Sequence, residues 1–389
     1  MRQRIGFLVS HPIQYYAPFL RELAARCDLT VFFAHRQDAA GQGRAGYGVA
    51  FDWDVDLLSG YESRFLTNVA RVPSTQSFAG CNTPEIADRI SEGRFDAFVV
   101  PGWSLRSYWQ AVRACRRARV PVMVRGDSQL AGRRGGAVGR VKGAVFPHLL
   151  KQFDACLYVG QRNREYLEHY GVPAGRLFFS PHCVDNDAFK RGSDAARGAG
   201  VQGEPSGRRR VLFVGRLVES KRPLDVVQAV SRLVSAGMPL ELVVAGAGEL
   251  SGRMEEAARA GGVDVRFLGF VNQSRLPSVY ASSDVVVLPS TAVETWGLVV
   301  NEAMACGVPA VVSDAVGCGP DLIEPGVTGA VAPLDDVPAL ATAIASVLAL
   351  DTDRVRRALV ARMELYSPAR AAEGLLEAAH ALASANRLR

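Results

Sequence analysis

"SSDVVVLPSTAVETWGLVVNEAMACGVPAVVSD", Ser282–Asp314, decides the fold. The apolar run Asp284–Leu288 reads as a strand, the stretch near Gly297–Cys306 as a helix, and "PAVVSD" as a second strand. Both strand runs are apolar at successive positions rather than alternating, which describes strands covered on both faces. A strand, a covering helix and another such strand make a unit of parallel sheet. Two acids interrupt this apolar text, Glu294 and Glu302, on either side of "TWGLVVN". Acids at that spacing around an apolar turn call for a ligand or a solvent-facing helix surface.

The chain has 389 residues, a length that predicts two domains rather than one core. Its 48% apolar and 22% charged residues describe a globular protein, and its longest apolar runs, near ten residues, fall short of a membrane helix. "IGFLVSHPIQYY" is broken by His11 and Pro12 and reads as a strand and loop, not a signal peptide, so a cytoplasmic location is expected. Seven scattered cysteines agree with a reducing compartment, and no Cys/His spacing suggests zinc. Residues 1–195 hold 26 Lys+Arg against 18 Asp+Glu, so the excess of positive charge lies in the first half and suggests anionic partners.

The same alternation runs outward in both directions. "RIGFLVS" precedes a helix at Pro18–Arg26, "DAFVVPG" one around Leu105–Arg117, and "ACLYVG" the helix "QRNREYLEHYG". Lys190–Arg210, rich in Gly, Ser and charge, reads as a linker. "RVLFVGR" then leads to a helix at Pro223–Ala236, "LELVVAG" to Glu249–Gly261, and "DVRFLGF" to Asn272–Ala281. "GAVAPL" leads to Val337–Leu350. The expectation is α/β: two Rossmann-like, doubly wound domains with a ligand cleft between them. The domains would be 1–190 and 211–365, the linker 191–210, with an amphipathic helix at 366–389 returning to the first domain.

"LFVGRLVESKRP" places Arg216 just past a strand and Lys221 before a helix. Two cations there can neutralise a diphosphate, arginine by a planar fork and lysine by a mobile point charge; two solvated loop charges are the plain alternative. Gly297 opens a helix whose first amides face the same end of the sheet. A carboxylate accepts from vicinal hydroxyls, so one acid could hold a ribose and the other a hexose.

"GRLVESK", "LVVAGAGE", "VRFLGFV", "LPSVYASSDVVVLPS" and "ETWGLVVNEAMACGVPAVVSD", in this order, resemble the retaining GT-B-fold glycosyltransferases of family four, over roughly Arg210–Leu350. The family's E-x7-E signature matches Glu294 and Glu302. The resemblance implies that Arg216 and Lys221, with Gly215 beside them, bind the donor diphosphate and Glu302 the ribose. Glu294 and the amides of Trp296, Gly297 and Leu298 would hold the transferred sugar and its phosphate. The base would be read near Phe270 and Val271. It further implies a nucleotide-sugar donor, a hydroxyl acceptor, and no resident metal or cofactor. The first half departs from the family: "SHPIQYYAP" replaces a Gly-rich loop, and "RGDSQL" stands where many members carry a histidine. His11, Gln14, Tyr15 and Tyr16 become candidate acceptor contacts, although the tyrosines could equally be structural. Asp127 becomes the candidate that orients or deprotonates the acceptor, against a turn-capping role. It is expected opposite Glu294 at the end of the strand Val120–Val124. His182, in "SPHCVDNDAF", is a candidate substrate contact whose exact role is open.

Two other signals are weighed. "FDWDVD" contains a D-x-D pattern used for metal in a different fold, but its acids alternate with Phe51, Trp53 and Val55 as on a half-exposed strand, and it is read as structural. Arg113–Lys142 carries nine cations against Asp127 alone and leads into "VKGAVFPHLLKQF", which suggests contact with anionic membrane against a solvated loop and core helix. No nucleic-acid motif is present.

The reading is a metal-independent, retaining hexosyltransferase moving sugar from a UDP- or GDP-type donor, in cell-surface polysaccharide or glycolipid assembly. Glycosylation of a small-molecule scaffold is the alternative. An epimerase or phosphorylase can share the fold. A dehydrogenase is the rival of another class, but "VVAGAGEL" lacks the complete G-x-G-x-x-G spacing and its following acid.

Overall fold

The computed structural model describes residues 2–43, 49–130, 137–200 and 207–387. The chain forms two compact units. One comprises Met1–Asp38, Asp56–His182 and Pro368–Arg389; the other comprises Ala39–Val55 and Cys183–Ser367.

The first unit is built on seven parallel strands: β1 (Arg4–Val9), β2 (Asp28–Phe33), β3 (Glu62–Phe65), β4 (Ala97–Val100), β5 (Val122–Gly126), β6 (Ala155–Tyr158) and β7 (Leu177–Phe179). Their order is β3-β2-β1-β4-β5-β6-β7. The second unit has β8 (Arg209–Val214), β9 (Leu240–Ala245), β10 (Asp264–Gly269), β11 (Val285–Leu288), β12 (Ala310–Ser313) and β13 (Gly329–Ala332). These are again all parallel, in the order β10-β9-β8-β11-β12-β13. In both, the strand order reverses beside the first strand, which opens a crevice at the carboxyl ends of the central strands. The double burial read from the apolar runs holds: Val285, Val286 and Val287 are all fully buried.

The helix Pro368–Arg387 packs on the first unit, where Ser180 Oγ donates to the Ala371 carbonyl at 2.8 Å. Among the described residues no helix is long and apolar enough to cross a membrane. Residues 131–136, within the basic stretch Arg113–Lys142, lie outside the described residues.

Three expectations differ from the structure. The stretch taken as linker begins as a helix, Asn186–Gly198: Asp185 caps it by accepting from the Ala188 amide, and Phe189 is buried. Its apolar anchors are few, so the charged text reads as linker. The helix expected over Asn272–Ala281 starts at Leu276, because Asn272 turns its side chain back on the Gln273 amide. "FDWDVD" is not a strand. It runs without sheet pairing and belongs to the second unit as far as Val55.

Candidate active site

In the second unit the loops after β8 and β9 run side by side. Gly215 N donates to the Ala245 carbonyl and Leu217 N to that of Ala247, both at 3.0 Å. A Cβ on Gly246 would stand 1.8 Å from the Gly215 oxygen, so only glycine permits this approach. Gly215 and Arg216 are thereby held at the carboxyl end of β8, with the arginine exposed. Lys221 follows in a single tight turn before the helix Pro223–Ser235.

Lys221 Nζ is ion-paired with Glu294 Oε2, and the two side chains are 20% and 16% exposed. The loops carrying them are tied by Thr291 N donating to the Ser220 carbonyl at 2.9 Å. The pair is therefore built into the site: an anion arriving at Lys221 must compete with, or share the cation with, Glu294. Ser290, fully buried, reaches Glu294 Oε2 at 3.5 Å.

Gly297 ends the loop with φ +105°, and a Cβ there would lie 2.7 Å from Leu288 Cδ2. This left-handed residue turns the chain into the helix Leu298–Ala305. The helix starts directly behind Trp296, which is locked by its indole N–H donating to Asn301 Oδ1 at 2.8 Å and by packing on Tyr366. Free amides at such a helix start suit a phosphate or a sugar oxygen.

Glu302 sits one turn further in, 6% exposed. Tyr280 donates to its Oε2 at 2.7 Å and Gln273 to its Oε1 at 3.3 Å. Burial pushes the carboxyl up from 4.5 to about 7, with the Tyr280 and Gln273 bonds pulling the other way. Phe270 and Val271 begin the loop after β10, the same loop whose Gln273 reaches Glu302.

The first unit holds the remaining candidates. Asp127 directly follows β5, half-exposed, with its Oδ2 3.8 Å from Nε2 of the buried His182. Burial lowers the His182 imidazole, against an upward pull from Asp127. Arg125, 3% exposed, fixes this corner: it donates to Ser180 Oγ at 3.1 Å and to the Pro181 carbonyl at 2.7 Å. Tyr15 stands edge-on to His182 with ring centres 5.8 Å apart, and burial raises its hydroxyl well above the usual range. His11 accepts from or donates to Ser10 Oγ at 3.0 Å, and burial, with His35 adding, lowers it to about 4. Gln14 lies in the same loop, half-buried. Tyr16 is in the core against Phe7, the structural alternative for that residue.

The structure thus brings Gly215, Arg216, Lys221, Glu294, Trp296, Gly297, Leu298, Glu302, Phe270 and Val271 to the carboxyl ends of the second sheet. It places Asp127, His182, Tyr15, His11 and Gln14 at the carboxyl ends of the first. The positioning residues Arg125, Gln273, Tyr280 and Asn301 are missed by the sequence reading. Arg125 alone left a signal, a charge inside the apolar strand "VMVRG".

Residues 199–362 match the family described as glycosyl transferases group 1. The chain is 32% identical to a glycogen synthase of Mycobacterium tuberculosis over 256 residues, 64% of this chain and 59% of that protein. It is 30% identical to a D-inositol 3-phosphate glycosyltransferase of Nocardia farcinica over 292 residues, 71% of this chain and 62% of that one. The chain therefore spans about three fifths of the length of these relatives. The crystal structure of Anabaena Alr3699/HepE in complex with UDP and glucose superposes with a TM-score of 0.68 at 18% identity, covering 96% of this chain and 98% of that one. The fold is GT-B, and the likeness to the glycosyl transferases group 1 family is carried by residues 199–362.

Proposed function

We propose that the chain is a glycosyltransferase that moves a sugar from a UDP- or GDP-type donor to an acceptor hydroxyl, retaining the anomeric configuration and using side-chain cations in place of a metal. The observation that carries this reading is the grouping of Lys221, Glu294, the helix start at Leu298 and the buried Glu302 at one end of one sheet. A nucleotide sugar needs those groups in that sequence: hydroxyl acceptors for a ribose, positive charge for a diphosphate, and a carboxylate for a hexose.

Glu302 accepts from the ribose hydroxyls. Arg216, Lys221 and the first helix amides stabilise the charge that develops as the diphosphate departs, the largest contribution expected for such a leaving group. Lys221 exchanges part of its bond to Glu294 for a phosphate oxygen, which frees the Glu294 carboxylate for the sugar hydroxyls. The departing phosphate oxygen takes the acceptor proton on the face that the acceptor attacks, so the configuration is kept. His11, Gln14, Tyr15 and His182 contact the acceptor, and Asp127 orients its hydroxyl. The relatives' names, a glycogen synthase and an inositol phosphate glycosyltransferase, support a hydroxyl-rich acceptor, and the UDP held by the Anabaena protein supports a uridine donor. Assembly of a cell-surface polysaccharide or glycolipid fits these, with the basic stretch Arg113–Lys142 favouring an acceptor at an anionic surface.

The test is donor hydrolysis without acceptor, using UDP-, GDP- and ADP-sugars and following the anomeric proton by NMR. The expected first product is the free sugar with the donor's own configuration. The opposite anomer would contradict retention, and no hydrolysis or binding of any of the three would contradict the donor class.

A further inference from the structure

Between β2 and β3 the chain leaves the first unit, and Ala39–Val55 belongs to the second. This excursion is fastened at the loop after β10. Asn272 Nδ2 donates to the Asp52 carbonyl at 2.7 Å. The Ser274 amide donates to Asp54 Oδ1 at 3.0 Å, and the Ser274 hydroxyl bonds the other carboxylate oxygen. Phe51, 9% exposed, lies against Phe270 with ring centres 4.3 Å apart and planes inclined at 37°. Trp53 stands edge-on to Phe51 at 4.8 Å and keeps part of its surface in solvent. The D-x-D pattern is thereby accounted for: Asp52 acts through its main chain, and the Asp54 carboxylate holds Ser274.

The loop so fastened is also the loop that reaches Glu302. Asn272, whose amide nitrogen holds Asp52, accepts from the Gln273 amide through its own Oδ1 at 2.9 Å. The Gln273 side chain then donates to Glu302 Oε1 at 3.3 Å. A run of bonds therefore leads from the excursion through Asn272 and Gln273 to the buried acid. The same loop carries Phe270 into an aromatic cluster with Phe51 and Trp53, in which Phe51 is buried and Phe270 and Trp53 keep part of their surface in solvent. A flat heteroaromatic ring is the ligand that such a surface suits, because aromatic faces stack on every base.

We infer that Phe51–Asp54 is part of the donor's nucleoside subsite, with Trp53 as an aromatic wall for the base and the Asp52–Asn272 and Asp54–Ser274 bonds positioning Gln273 on Glu302. This rests on the donor reading above and adds to it a specificity-determining residue from a segment that lies, in sequence, inside the first half. Trp53 touches the base; Asn272 acts only through Gln273.

The experiment is calorimetric titration of the full chain with UDP, GDP, ADP and inorganic pyrophosphate. The variants are Trp53→Ala, Trp53→Leu and Asn272→Ala, each checked for folding by its melting curve. Trp53→Ala should weaken the best-bound nucleoside diphosphate roughly ten- to a hundredfold, the scale of one base–aromatic stack, and narrow the spread among the three bases. Pyrophosphate binding should match the wild type. Trp53→Leu, which keeps bulk but has no aromatic face, should show the same loss and carries the test if the alanine variant fails to fold. Asn272→Ala should weaken all three nucleoside diphosphates and leave their ranking unchanged. Wild-type affinity and spread in the folded Trp53 variants would overturn the inference while the donor reading stands. Wild-type protein binding pyrophosphate as tightly as any nucleoside diphosphate would overturn the donor reading and the inference with it.

Discussion

Glu302→Gln should make the unliganded protein more stable at high pH and less able to hold a nucleotide. The carboxyl is lifted from 4.5 to about 7, chiefly by burial. An acid raised on folding contributes its stability in full below the unfolded value, and that contribution is lost as pH rises through the folded one. The gap between 4.5 and about 7, at roughly 1.4 kcal/mol per pH unit, amounts to about 3 kcal/mol lost by pH 8. Glutamine has no charge to bury. It keeps an oxygen for the Tyr280 hydroxyl, 2.7 Å away in the wild type, but its NH2 opposes that of Gln273, a loss of about 1 kcal/mol. The variant should therefore be about 2 kcal/mol more stable than the wild type at pH 8 and about 1 kcal/mol less stable near pH 4.5. Urea unfolding at both pH values, read by tryptophan fluorescence, measures this, since Trp296 packs within the same unit. A stability difference of the same sign and size at both pH values would refute the reasoning.

The proposed donor site gives further expectations. Nucleoside diphosphate affinity should rise up to about tenfold between pH 6 and 8 in the wild type relative to Glu302→Gln, a ratio that cancels the ligand's own titration; parallel pH profiles would contradict it. Lys221→Ala and Arg216→Ala should each weaken nucleoside diphosphate binding by about 1.5–3 kcal/mol and leave nucleoside binding unchanged, as calorimetry can show. Gly297→Ala, which puts a Cβ 2.7 Å from Leu288 Cδ2 at φ +105°, should cost on the order of 1–3 kcal/mol in thermal unfolding and reduce donor binding. Asp127→Asn should lower transfer by about two orders of magnitude or more while donor hydrolysis survives; full transfer, with stability lost in Asp127→Ala, would make Asp127 a turn residue only.

Much of the fold was legible because parallel strands covered on both faces announce themselves. The runs around Val211, Leu242 and Val286 are apolar without alternation, and each precedes a helical pattern. The helix Asn186–Gly198 escaped because its stability comes from one cap and a few buried anchors rather than an apolar stripe. The candidate site residues with unusual chemistry for their context, Lys221, Glu294 and Glu302, stood out from sequence. Their partners did not. Tyr280 and Gln273 reach Glu302 from other elements, 22 and 29 positions away, and neither carries a local signal. His182 and Asp127 lie on different loops and come within 3.8 Å where Arg125 ties the segment Ser180–Pro181 to β5. The alternation in "FDWDVD" suggested a strand, but Phe51 packs against Phe270 of the same unit, far away in sequence, which no local pattern encodes.

The central claim is that the second unit holds a nucleotide sugar by its diphosphate as well as its ribose. Titration calorimetry of the wild type and of Lys221→Ala with UDP, GDP and ADP and with the matching nucleosides tests it most directly. One diphosphate should bind at a single site far more tightly than its nucleoside, with most of that advantage lost in Lys221→Ala. Equal binding of diphosphate and nucleoside, or an advantage untouched by the substitution, would contradict the account.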